Sequence, residues 1–292
     1  MRSIKSYLLI ITVTFFGLIS TGFSETPKEI MRSAIDRDDG KTQVTRLTLS
    51  SCRYSKKNRK LVCTERPRVK IMEGIRKDFG PDQKDSKLIT ILLEPASERG
   101  IGFLQFDYDD IDKETDQWIY LSALGKVKRI ISGNEYEPRD GSFFGTEFNY
   151  EDMESRNLKN CTYKLLAEEK YQGRDCWVIE SIPTSRWSKR SNYSKTLDWI
   201  DKERFLFLKT ILYNRQVKRV KRITNYAPEK VNGIWIQRKR LMNNMETRRM
   251  TRLTIDAVVF NVPVRDDFLT LRTLTDKAFR KRNIRKFRKE LK

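Results

Sequence analysis

Six acidic residues, Asp107, Asp109, Asp110, Asp112, Glu114 and Asp116, fall within ten positions of each other. Carboxylates packed so closely can hold a hard cation or share a proton between them. A calcium loop of the helix–loop–helix type needs Gly at its sixth position and Glu at its twelfth. Counted from Asp107 those positions hold Asp112 and Trp118, and counted from Asp110 they hold Thr115 and Leu121. The run therefore reads as a solvated acidic connection. The chain has no histidine, which removes the usual general base, the Ser-His-Asp triad and histidine-ligated zinc. No glycine-rich phosphate loop is present. No catalytic residue, metal site or cofactor is predicted, and the chain is not expected to be an enzyme.

The four cysteines lack C-x-x-C spacing and suit an oxidising compartment. With Lys57-Asn58 as a two-residue turn, Cys52 and Cys63 face each other across a hairpin, and a disulfide is expected to join them. Cys161 and Cys176 are the remaining pair. A turn at Gln172-Gly173 places Cys176 opposite residues 169–170, so this second bond requires the chain to fold back. The N-terminus agrees with an oxidising destination. Arg2 and Lys5 precede an apolar run from Tyr7 to Ile19, and Gly22 and Ser24 supply small residues before a polar stretch. This is the form of a secretory signal over residues 1–24, cut between Ser24 and Glu25. The run is short for a membrane span of about 20 residues. The expected location is the periplasm.

The elements that follow are mostly strands. Thr26-Pro27-Lys28-Glu29 has the composition of a capped helix start, and Ile30, Met31, Ala34 and Ile35 recur at helical spacing. Period-2 alternation or short apolar runs then mark 44–49, 60–64, 69–72, 88–93, 101–108, 118–121, 127–131, 163–171, 176–182, 197–200, 205–213, 216–226, 234–242 and 250–259. Asn232-Gly233 is a hairpin signal. Residues 141–160 are polar and aromatic without a strand period, with a short helix or ordered loop expected over 150–156. Sequential strands without intervening helices predict an antiparallel meander, curved or closed, with residues 250–259 closing the sheet.

The net charge of +21 raises a nucleic-acid reading, which export opposes. The Lys and Arg of segments such as Gln216–Ile223 read as the wet face of a sheet. The end is different: Lys277–Lys292 is densely basic and reads as a basic helix or a disordered arm beyond a core that is complete by about residue 275. It suits an anionic membrane surface. Aromatic residues concentrate in the strands, and Phe106, Trp118, Tyr120, Trp199 and Trp235 are candidate lining residues of an apolar cavity.

Two segments resemble a known family. Trp118–Ile130 (WIYLSALGKVKRI) and Gly141–Asp152 (GSFFGTEFNYED) are similar to paired signatures of bacterial outer-membrane lipoprotein-sorting proteins of the LolA-like superfamily, with Ser122 where that pattern carries Pro. Weaker similarities lie at Pro95–Leu104, Leu197–Asp201, Asn232–Trp235 and Val262–Phe268. The resemblance spans about 27–275. It implies a mainly β fold: a strongly curved antiparallel sheet of about eleven strands, an unclosed half-barrel with helices over its concave face. It also implies a non-catalytic periplasmic carrier or acceptor of lipoproteins or lipids that holds acyl chains in an apolar cavity, with an inner-membrane exporter as partner. The alternative is an envelope-stress or lipid sensor on the same fold that regulates a membrane partner. The expected organisation is thus a signal at 1–24, a LolA-like domain at 25–275 and a basic tail at 276–292.

Protein recovered from the cell envelope is expected to begin at Glu25, as read by mass spectrometry of the intact chain. Retention of Met1 would refute the cleavage.

Overall fold

The structure is a computed structural model that describes residues 25–58, 60–130 and 141–291. The expected signal and its cleavage point at Ser24 lie outside the described residues. Fourteen strands form: β1 (Thr42–Lys57), β2 (Lys60–Cys63), β3 (Arg68–Phe79), β4 (Asp85–Glu94), β5 (Gly102–Asp107), β6 (Asp116–Leu121), β7 (Lys126–Ile130), β8 (Cys161–Tyr171), β9 (Arg174–Pro183), β10 (Tyr193–Asp201), β11 (Phe207–Asn214), β12 (Arg219–Val231), β13 (Ile234–Asn244) and β14 (Arg249–Phe260). The helices are α1 (Pro27–Ile35), α2 (Ser185–Ser188), α3 (Leu271–Thr275) and α4 (Lys277–Glu290). Each segment that alternates in sequence is a strand, so the count is fourteen rather than the eleven implied by the resemblance. The capping box of Thr26 and Glu29 opens α1.

All the strands join one antiparallel sheet in the order β7-β6-β5-β4-β3-β1-β14-β13-β12-β11-β10-β9-β8, with β2 paired to β1. The strand 250–259 does not close an edge. It lies in the middle, and its register with β1 runs Val44 opposite Val259 and Leu49 opposite Leu253. The edge strands β7 and β8 do not pair with each other, so the sheet stays open.

Adjacent residues show how strongly the sheet curves. Ser155 donates to Asp107 of β5 at 2.9 Å. Its neighbour Arg156 grips Asp198 of β10 through two bonds of 2.9 Å. In a flat sheet β5 and β10 stand eight strand spacings apart, about 38 Å. Consecutive Cα atoms are about 3.8 Å apart, so the sheet must curl around the 141–160 segment. The acidic connection after β5 belongs to the same closure and is not merely solvated. Asp109 pairs with Lys159 at 2.8 Å, Glu114 with Arg190 at 2.8 Å, and Asp112 with Arg186.

The 141–160 segment is fixed to both halves of the sheet. Phe143, Phe144 and Phe148 pack on Met72, Leu92 and Phe103. The Glu147 amide donates to Thr251 Oγ1 at 3.0 Å, and its carboxylate accepts from Asn244 at 2.9 Å. Asn149 and Asp152 cap each other's backbone amides. Asp152 accepts from the Tyr193 hydroxyl at 2.7 Å and from Lys221 Nζ at 2.9 Å. Lys221, in a segment that reads as a wet face, is buried by this contact. The expected turn at 150–156 is a short 3-10 turn over Glu151–Met153.

Cys52 and Cys63 form the expected disulfide, with Cα atoms 5.7 Å apart. The pairs are Lys57 with Lys60 and Tyr54 with Cys63. The hairpin therefore turns one residue later than expected, and the bond runs diagonally. Cys161 and Cys176 are free thiols, which corrects the second expected bond. Cys161 lies opposite Pro183 and Cys176 opposite Glu169, because β8 and β9 run straight and do not fold back. Burial pushes both thiols up to about 11.

The C-terminal segment is a packed helix rather than an arm. Asp276 caps α4 through the Phe279 amide at 2.8 Å. Phe279, Ile284 and Phe287 are buried against Ile75, Ile89 and Leu104. Arg288 meets Glu73 of β3 through two bonds of 2.7 and 2.9 Å, and the Glu73 side chain is 2% exposed. Gly102 admits α3, since a Cβ there would stand 2.6 Å from Leu274 Cδ2. The basic composition of the tail conceals three apolar residues spaced to share one broad helix face.

Phe287→Ala is expected to cost about 3 kcal/mol in urea unfolding, the usual loss for a buried aromatic. Asp152→Ala, which strands Lys221 without its carboxylate, is expected to cost about 3 kcal/mol in the same measurement. A change below 1 kcal/mol, roughly a surface effect, in either variant would contradict the packing described.

Candidate functional site

Register assigns each side chain to a face of the sheet. Val44, Ile75, Ile89, Leu104 and Trp118 lie opposite one another in succession across β1, β3, β4, β5 and β6. They point away from the 141–160 segment, onto what we call the outer face, where α3 and α4 pack. Phe106 and Tyr120 follow by alternation. Phe106 meets Trp118 edge-on at 5.2 Å, and all three aromatics pack against the cluster beneath α4.

The same register places Trp199 and Trp235 on the outer face too, but far along the sheet in a separate cluster with Cys176, Val178 and Ile211. Their rings are covered by cations. Lys209 Nζ sits 3.2 Å from the Trp199 ring centre, while the Arg204 guanidinium lies 4.5 Å and Lys230 Nζ 5.8 Å from the Trp235 ring centre. Trp199 Nε1 also donates to Glu169. The five candidate aromatics therefore share a face but line no common cavity. Two recesses are present elsewhere. One of about 340 Å³ lies between β1, β3 and Thr146, and one of about 50 Å³ lies between the acidic connection and Glu151–Asn160.

The inner face carries a different constellation, centred on Arg240. Along β13 the inward positions are Ile234, Ile236, Arg238, Arg240, Met242 and Asn244, an apolar series interrupted by charge. Arg240 lies opposite Asn225 on β12 and Leu253 on β14. Its Nε donates to Asn225 Oδ1 at 2.9 Å, and no carboxylate pairs with it among the described residues. The side chain keeps access to solvent. Burial is nevertheless the main influence lowering its pKa, followed by repulsion from Arg156 and Arg37. Arg240 is thus open to water on the inner face while crowded by the residues around it.

Both neighbouring arginines come from the elements that cover the inner face. Arg37 follows α1 and donates to the Trp235 carbonyl at 2.9 Å. Arg156 stacks its guanidinium 4.5 Å from the centre of the Phe207 ring. Burial works against the Arg156 charge, but Asp198 outweighs it and holds the proton more tightly. Half-buried Leu47, Ile223 and Leu253 supply the apolar wall. This part of the inner face thus combines half-buried apolar side chains with three arginines. Sequence reasoning missed all three arginines. The available signal was the parity of β13, which puts Arg240 in step with Ile234, Ile236 and Met242. Among the described residues, no group of three or more Asp, Glu or Cys side chains is arranged to hold a metal ion.

A family model described only as an uncharacterized protein-like family matches residues 84–276. No protein of curated function matches the sequence. The fold is similar to several solved structures. A domain from Vibrio parahaemolyticus, assigned to outer membrane lipoprotein sorting, matches with a TM-score of 0.74 at 26% identity, over 85% of this chain and 98% of that one. A DUF1329 family protein from Desulfovibrio piger gives a TM-score of 0.75 at 22% identity, over 85% and 97%. A LolA superfamily protein from Nitrosomonas europaea gives 0.62 at 16% identity, over 85% and 98%. The fold is LolA-like.

Proposed function

We propose that this chain, which belongs to the family whose model matches residues 84–276, is an exported, non-catalytic carrier or acceptor of lipids or lipoproteins in the periplasm. The observation that carries this reading is the likeness of its open half-barrel, over 85% of its length, to a domain assigned to outer membrane lipoprotein sorting. The Cys52–Cys63 disulfide supports an oxidising destination. Acyl chains are taken up on the inner face, beside Leu47, Ile223 and Leu253. Each methylene buried there contributes about 0.8 kcal/mol, so partial burial of a chain gives binding that can be reversed. The outward side of α4, with Lys281, Arg282, Arg285 and Lys286 exposed, supplies a basic surface for approach to an anionic membrane.

Native mass spectrometry of protein isolated from its own envelope, followed by lipid extraction, tests the proposal. Expected is a population carrying one extra mass that extracts into organic solvent and is identified as a lipid or acylated peptide. Bare polypeptide throughout, with no saturable quenching of tryptophan fluorescence by added cis-parinaric acid, would reject it.

A further inference from the structure

A site for apolar chains alone has no use for positive charge. Arginines crowded beside like charge are costly even where water reaches them, since each lowers the affinity of the others for a proton. Many lysines and arginines of this chain meet carboxylates: Arg238, on the inward parity of β13, meets Glu229 at 2.7 Å, and Arg249 meets Glu65 at 3.0 Å. Arg240 is partnered differently. It stands on the same inward parity of β13, bonded only through Nε to a neutral amide, so its remaining N–H donors are free to meet an incoming acceptor. The half-buried carbon surface of Leu253 lies directly opposite it. Arg156 and Arg37 approach from the two covering elements, close enough for their charges to repel that of Arg240. Of the three, Arg156 is already neutralised by Asp198, and Arg37 is partly balanced by Asp39 and Asp38. Arg240 is attracted by Asp152, but less than it is repelled by Arg156 and Arg37, and no carboxylate pairs with it among the described residues, so it is the least compensated of the three.

We infer that Arg240 is an anion-recognition residue for the headgroup of an amphiphile, a carboxylate or phosphate whose acyl chain lies along Leu253, Ile223 and Leu47. This inference rests on the carrier reading and names the chemical class of its ligand. A guanidinium presents a planar fork that meets either oxyanion through two parallel bonds, and Asn225 holds that fork in place from the side of Nε. The neighbouring Asn225 amide is itself fixed, donating to the Phe207 carbonyl at 2.7 Å. The floor of the site is thus rigid before any ligand arrives.

The test compares three probes on the purified full-length mature protein: cis-parinaric acid, its uncharged methyl ester, and inorganic phosphate. The acid is expected to bind roughly tenfold more tightly than the ester, the worth of a charge-assisted bond. Arg240→Gln is expected to remove that preference while ester binding stays at the level of the unaltered protein, which also shows that the variant is folded. Arg240→Lys is expected to retain most of it. Equal binding of acid and ester by the unaltered protein would overturn the anion site and leave the carrier reading standing. An unchanged preference in Arg240→Gln would overturn the role of Arg240. Binding of neither acid nor ester would remove the carrier reading itself. Displacement of the acid by millimolar phosphate, with the ester unaffected, would identify a free-anion site and overturn the amphiphile.

Discussion

The curl of the sheet is most directly expressed in one bridge. Ser155 and Arg156, adjacent in the chain, bind Asp107 on β5 and Asp198 on β10. Everything on the inner face depends on that distance staying short. Without it, the 141–160 segment would lose its link between Asp107 and Asp198, and Arg156 would not be held over Phe207. Asp198 is completely buried, and it is satisfied on several sides. Besides Arg156 it accepts from Thr210 Oγ1 at 2.6 Å and Thr196 Oγ1 at 3.1 Å. A buried carboxylate is tolerable only when it is saturated with partners in this way. The cost of charge in the interior thus becomes a geometric constraint. Asp198 without Arg156 is unfavourable, so the segment is held across the opening.

The two faces of the sheet cover their apolar surface by different means. On the outer face, β3 to β6 are covered by α3 and α4, while among the described residues no helix packs on that face of β9 to β11. On that part of the sheet Trp199 of β10 lies beneath Lys209, and Trp235 of β13 lies beneath Arg204 and Lys230, whose charged groups sit over the rings. On the inner face the cover is a loop with a network of ion pairs. The first arrangement fills surface, whereas the second leaves part of β12, β13 and β14 open.

Much of this architecture is legible in the sequence. Strand alternation marks all fourteen strands, because period 2 is a direct consequence of one buried face. The Thr26–Glu29 cap, the turns at Gln172-Gly173 and Asn232-Gly233, and the Cys52–Cys63 bond are local features with local signals. The five aromatic candidates share a face, but they fall into two separate clusters, a division that strand parity does not reveal. Which face becomes the inside is not a local property. It is set by where residues 141–160 land, through contacts such as Asp152 with Lys221, 69 positions apart. The tail misleads for a similar reason. Its helix is decided by Glu73, 215 residues earlier, and nothing near Arg288 announces that partner. The turn at Gln172-Gly173 gives the observed register of Cys176 opposite Glu169, and the bond to Cys161 is absent because β8 does not fold back to bring the two together.

The place of β1 beside β14 determines when the sheet can form. These strands sit at its centre and join Val44 to Val259, almost the two ends of the domain. The strands on either side, β3 to β7 and β8 to β14, are runs of sequential hairpins and can assemble as the chain appears. The seam between them cannot, since loop closure over such a distance must precede any gain from the contacts. Each half therefore waits with a long unpaired strand edge, of the kind that invites mispairing with other chains. Chain synthesis or transport that stalls before residue 260 would leave two half-sheets in this state, so assembly of the domain is all-or-none with respect to its last strand.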